Sequence, residues 1–135
     1  MAGWIVPTLG YILLVGAAGV TAKLALRTIS WQQLVLWVPL VYLVFAISFV
    51  VFSGARLPLG AAGGWAVATA FCAAAGLILL FVALTRGEAS TVVPATAAYP
   101  AVTLAGSALF LSESVTVARV AGTVLVIAGV VLLSR

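Results

Sequence analysis

The feature that most constrains this chain is the near absence of charge along stretches long enough to cross a bilayer. Of 135 residues, 66% are apolar, six are Lys or Arg and two are Asp or Glu. A helix needs about 20 mostly apolar residues to traverse about 30 Å of hydrocarbon. Five such runs follow one another, at about 4–26, 31–51, 62–84, 92–111 and 117–133. Helices suit them because an α-helix satisfies its backbone groups within the segment. The period-two alternation of a membrane β-barrel is absent. An ordinary soluble domain is about 25% charged, and eight charges (six plus two) cannot cover a surface of this size. The expectation is an all-α integral membrane protein, with residues 1–135 forming one transmembrane domain of five helices.

The same scarcity excludes most chemistry. With no His, two acids and one cysteine, Cys72, zinc binding and most acid–base or nucleophilic catalysis lack residues. No enzyme, cofactor, metal or disulfide is expected. The six basic residues are spread along the chain, which makes no nucleic-acid footprint. No cleaved leader is expected either, since the first run is too long and has no basic segment before it.

The junctions are short. Arg27 to Ser30 ends the first run, with Ser30 a natural N-cap for the second. Ser53 to Gly60 is the longest loop, and Thr85 to Glu88 a tight turn. Glu88 sits favourably near the start of the fourth helix. Ser112 to Thr116 joins the last two helices, with Thr116 as cap.

Five crossings place the termini on opposite sides. Lys23, Arg27, Arg86 and Arg135 then share one side, and Arg56 and Arg119 the other. Four against two favours a cytoplasmic C-terminus, by a margin small enough to permit insertion both ways. Transporters are often built from two inverted copies around a midplane pathway, and an odd-span unit inserted both ways makes such a pair. The expected assembly is an antiparallel (inverted) homodimer of ten helices; a single orientation with a parallel dimer or a monomer is the plainer alternative.

Several faces carry candidates. Ala97, Ala101 and Ala105 on the fourth helix recur at helical spacing, as do Ala118 and Gly122, with Gly129 one heptad on. They suit close helix packing. A second stripe on the fourth helix holds Thr96, Tyr99, Thr103 and Ser107. These either line a pathway as substrate-binding groups or bond back to their own helix. Pro94 and Pro100 flank or interrupt the stripe, and proline inside a spanning helix frees a carbonyl and bends the axis. Gly16, Gly19, Lys23 and Arg27 share a face of the first helix. Lys23 either snorkels to the headgroups or contributes charge to a binding site. Trp4, Trp31 and Trp65 lie near predicted interfaces, whereas Tyr11, Trp37 and Tyr42 lie deeper.

The run Leu80 to Pro94, with Ala83-Leu84, Gly87, Ala89, Val92 and Pro94 in order, resembles a signature of the EamA-type drug/metabolite transporters. The run Leu111 to Gly122, carrying Glu113, and the following Leu125 to Leu133 tail with Gly129 look like the same family's later signature. Pro100 matches its second proline in the fourth helix. Residues 76–133 carry the resemblance, to which Lys23 adds. It resembles single-domain members, and implies a ten-helix pathway made by two units. It also implies that Glu113 is structural, ending the fourth helix near Arg119. Related single-domain sequences carry a basic residue where Val38 sits, and charges where this chain has Ala95, Thr96 and Ala97. The resemblance therefore implies a pathway poor in charge.

The expected function is transport of a small polar or zwitterionic, amino-acid-like metabolite by alternating access, in the plasma membrane (the bacterial inner membrane). Partners would be the small-molecule substrate, the lipid bilayer and a second copy. A non-transporting accessory or structural subunit and a lipid flippase are the competing readings.

Overall fold

A computed structural model describes residues 3–57 and 60–133. Pro58 and Leu59 of the longest loop, and Arg135 of the charge count, lie outside the described residues. The elements are helices α1 (Ile5–Ala25), α2 (Trp31–Ser53), α3 (Ala61–Arg86) and α4 (Ala89–Ala95), a 3-10 turn (Thr96–Ala98), then α5 (Pro100–Phe110) and α6 (Val117–Leu133). This is an all-α protein whose apolar helices suit a membrane. Two compact units divide between Arg86 and Gly87.

The first unit holds α1 to α3, and α3 contacts both α1 and α2. Ser30 starts α2 through a capping box. Its hydroxyl accepts from the Gln33 N–H at 3.3 Å, and the Gln33 side-chain oxygen accepts from the Ser30 N–H at 2.9 Å. Two of the four donors that a helix start leaves without partners are thereby satisfied. At the other end Gly54, with φ of 64°, donates to the Val50 carbonyl at 3.0 Å. This left-handed cap requires no Cβ and closes the last turn. α2 is not interrupted by Pro39, which lies inside it. α3 begins at Ala61.

The second unit holds α4 to α6. α6 contacts α4, the 3-10 turn and α5. The fourth apolar run, expected as one helix over 92–111, starts earlier at Ala89 and is broken in the middle. The cause is local. Pro100 has no N–H, so the Thr96 carbonyl has no donor four residues on. It accepts instead from Tyr99, three residues on, at 3.1 Å, which tightens the backbone into a 3-10 turn. Pro100 then opens α5 from its first position, where the missing N–H costs nothing.

α5 ends at Phe110; beyond it Ser112 has a left-handed φ of 53°, and the Glu113 N–H reaches back to the Ser107 carbonyl at 3.3 Å. Thr116 caps α6 by accepting from the Arg119 N–H at 3.3 Å. Four stretches are long and apolar enough to cross a membrane: Ile5–Ala25, Trp31–Ser53, Ala61–Arg86 and Ala89–Phe110. α6 is equally apolar but has 17 residues, about 26 Å at 1.5 Å per residue.

Packing within the chain is thin. Among the described residues the buried hydrophobic side chains are Ala22, Phe81 and Leu84. Large apolar side chains stand exposed on every spanning element, from Leu14 on α1 to Leu132 on α6. A water-soluble monomer rarely exposes such continuous apolar surface; lipid or a partner must cover it.

Candidate functional site

In the first unit, the site residue read from the sequence is Lys23. It sits in the last turn of α1, and its ammonium donates to the Leu84 carbonyl at 2.6 Å. Leu84 lies in the last turn of α3, where carbonyls have no intrahelical donor and carry the negative end of the helix dipole. The long stem is part-buried rather than stretched outward. Lys23 thus ties α1 to α3, a role that neither sequence reading named. The partner lies 61 residues away, beyond the reach of local pattern. Gly16, on the same helix face, has open space where a Cβ would stand.

A second feature of this unit was missed in the sequence. Between α2 and α3 lies a cavity of about 390 Å³. α2 contributes Val35, Val38, Pro39 and Tyr42, and α3 contributes Ala70, Ala73, Ala74, Leu77 and Ile78. Each set recurs at helical spacing on one face. The readable signal was Pro39, an interruption inside an otherwise uniform apolar run.

In the second unit, the stripe residues fall on the broken span. Thr96 lies in the 3-10 turn, Tyr99 and Pro100 at the junction, and Thr103 and Ser107 on α5. Pro94 lies inside α4. The hydroxyls bond back to their own chain: Thr96 to the Val93 carbonyl at 2.7 Å, Thr103 to Tyr99 at 3.4 Å, and Ser107 to Leu104 at 3.2 Å. Each hydroxyl proton is thereby committed, and what each oxygen presents outward is acceptor capacity. Tyr99 is 59% exposed, and its phenol makes no hydrogen bond to the described residues. The stripe is therefore a row of neutral acceptors with one phenol, suited to N–H donors.

Of the residues expected to be structural, Glu113 and Arg119 sit around the α5–α6 junction, and Gly122 and Gly129 lie along α6. Glu113 closes α5 through its backbone N–H, while the Arg119 guanidinium donates to the Ser114 carbonyl at 2.7 Å. The connection is held by backbone groups. A Cβ added at Gly122 or Gly129 would meet nothing within 4 Å, so no contact within the chain requires glycine at either place. A smaller hollow of about 300 Å³ separates Ala101 and Ala105 of α5 from Val120 and Val124 of α6. Among the described residues no group of His, Cys, Asp and Glu could hold a metal ion.

Comparison with known proteins completes the picture. An uncharacterized protein of Methanocaldococcus jannaschii is 44% identical over 70 residues, covering 52% of this chain and 51% of that protein. The match thus spans about half the length of that curated relative. No solved structure matches. The model of the EamA-like transporter family matches residues 3–135. The apolar helices, the proline-broken span and this match over nearly the full length agree: the chain belongs to the EamA-like transporter family.

Proposed function

We propose that this chain moves a small polar or zwitterionic, amino-acid-like metabolite across the plasma membrane, the inner membrane of a bacterium. Residues 1–135 act as one transmembrane domain, and two such units pair as an inverted homodimer of ten helices. Transport proceeds by alternating access at the interface between the copies. The observation that carries this reading is the match of the whole described chain to a transporter family.

Three features support the finer statements. The stripe of Thr96, Thr103 and Ser107 offers neutral acceptors along the span that is broken at Tyr99 and Pro100. Irregular backbone at membrane depth is tolerated where it lines a cavity or is buried in protein. Open faces at Gly122 and Gly129 allow the close approach of a second copy. Pro94 and Pro100 serve as the kink that lets the span change shape, and Lys23 contributes positive potential to its own unit.

The test has two arms. Reporter fusions at the C-terminus, read in both compartments, give signal from both sides if the unit inserts in both orientations. Uptake of labelled amino acids into proteoliposomes falls at least tenfold in a double variant, Thr103→Val with Tyr99→Phe. Signal from one side alone sinks the inverted homodimer. Uptake indistinguishable from empty liposomes across an amino-acid panel sinks the substrate class.

A further inference from the structure

The first unit carries its charge unevenly. Residues 1–86 hold Lys23, Arg27, Arg56 and Arg86 and no acid. All but Arg56 gather at one end. The 2.6 Å bond from the Lys23 ammonium to the Leu84 carbonyl sets the last turn of α1 against the last turn of α3. Arg86 stands two residues beyond Leu84, about 3 Å along the axis. Arg27 stands four residues beyond Lys23, and the helical turns continue that far: the Arg27 N–H donates to the Leu24 carbonyl at 3.2 Å, and the Thr28 N–H to the Ala25 carbonyl at 3.0 Å. The 21 residues of α1 already span about 30 Å, so Arg27 lies at headgroup level.

The backbone at this end is negative. α1 and α3 both finish here, and each C-terminal end carries about half a negative charge. The Lys23 ammonium, seated on one of those carbonyls, offsets the pair. Arg27 and Arg86 are then surplus positive charge. Both are exposed, and neither guanidinium is hydrogen-bonded or ion-paired among the described residues. The nearest acid along the chain, Glu88, brings one carboxylate against two guanidinium groups.

Each arginine also heads an apolar strip. Residues seven apart share a helix face to within about 20°. Val20 and Leu13 lie one and two heptads below Arg27, and Leu79 and Cys72 lie likewise below Arg86; all four are exposed. A guanidinium over bare apolar surface is complemented by a molecule with an anionic head and hydrocarbon tails. The planar fork matches the oxygens of a phosphate. A zwitterionic headgroup brings its own cation, which the arginine repels.

We propose that the α1–α3 end of the first unit is a binding surface for anionic phospholipid. One headgroup phosphate meets Arg27 and another meets Arg86, and the acyl chains lie along the two strips. Lys23 supports both by cancelling the helix ends. This surface is separate from the hydroxyl stripe of the second unit.

Photolabelling of the full chain in nanodiscs tests this, with mass spectrometry to locate the adducts. The probes are phosphatidylglycerol and phosphatidylcholine, each with a diazirine near the carbonyl end of one acyl chain. Phosphatidylglycerol adducts at 20–28 and 79–86 exceed phosphatidylcholine adducts about fivefold, the size of one lipid–arginine attraction at the membrane surface, while the rest of the helices label alike. Arg27→Gln removes the excess on α1 and leaves that on α3; Arg86→Gln does the reverse. Arg27→Lys keeps the excess, and Arg56→Gln changes neither patch. Equal labelling by the two lipids overturns the proposal. So does an excess that survives both glutamine variants, or one that falls equally with Arg56→Gln, which marks net charge alone. Loss of the excess to soluble glycerol phosphate also overturns it, since the surface then takes a free phosphate rather than a lipid. The readout needs no substrate, so failure of the transport reading leaves this result standing.

Discussion

The ammonium of Lys23 donates to the carbonyl oxygen of Leu84 across 2.6 Å, joining the last turn of α1 to the last turn of α3. Leu84 is fully buried, and Phe81, one turn earlier on the same helix, is nearly so. A cation at a helix C-terminus is favourable in itself, and the low dielectric of a membrane protein strengthens the bond.

Lys23→Met is therefore expected to destabilise the chain by about 1.5–3 kcal/mol, the usual range for a hydrogen bond to a charged group. The measurement is the midpoint of SDS-induced unfolding in mixed micelles. Methionine keeps the length and apolar stem, so the loss reports the ammonium. An unchanged midpoint would show that the bond contributes nothing.

What could be read from the sequence and what could not divides by distance along the chain. The Ser30 and Thr116 caps were legible because a cap reads its own helix three residues on. The break in the fourth span was half legible. Pro94 and Pro100 announced a disturbance, but whether a proline bends, breaks or merely decorates a helix depends on where its orphaned carbonyl finds a donor. Thr96 found one in Tyr99, whereas α2 runs unbroken through Pro39. The Lys23 partner lies 61 residues away and leaves no local trace. The α2–α3 cavity was hidden for another reason. It depends on the Val35, Pro39 and Tyr42 face of α2 meeting the Ala70, Ala73 and Ala74 face of α3, and alanine is so common in this chain that no single stripe stands out.

Removing the capping box is the second prediction. Ser30→Ala leaves the Gln33 N–H without its acceptor, and should cost about 1 kcal/mol. Ser30→Gly should cost only a few tenths, because glycine suits the cap backbone and admits water. The same unfolding assay ranks the three chains, and equal midpoints would refute the capping role.

The broken span gives the third. Pro100→Ala restores an N–H that can reach the Thr96 carbonyl, allowing α4 and α5 to join as one helix. The expected outcome is slower amide hydrogen exchange at residues 96–104 with several-fold lower transport. Stability should rise while activity falls, a divergence that a merely disruptive substitution would not produce. Unchanged exchange would show that the turn is held by α6 rather than by the proline.

The last concerns energy coupling. Among the described residues the acids are Glu88 and Glu113. Glu88 is the N-cap of α4, and Glu113 lies in the α5–α6 connection. Both are exposed at junctions, and none of the three spanning helices of the first unit carries a carboxylate. Moving protons across the hydrocarbon is the task of a carboxylate at depth, and the groups found there are hydroxyls, the phenols of Tyr11, Tyr42 and Tyr99, the Cys72 thiol and backbone carbonyls. Transport in proteoliposomes should thus proceed without a pH gradient, and Glu88→Gln and Glu113→Gln should each keep uptake within about twofold, since surface substitutions away from a buried partner shift stability by at most about 0.5 kcal/mol. A strict requirement for the gradient, lost on neutralising either acid, would place a proton route through these junctions and reverse the conclusion.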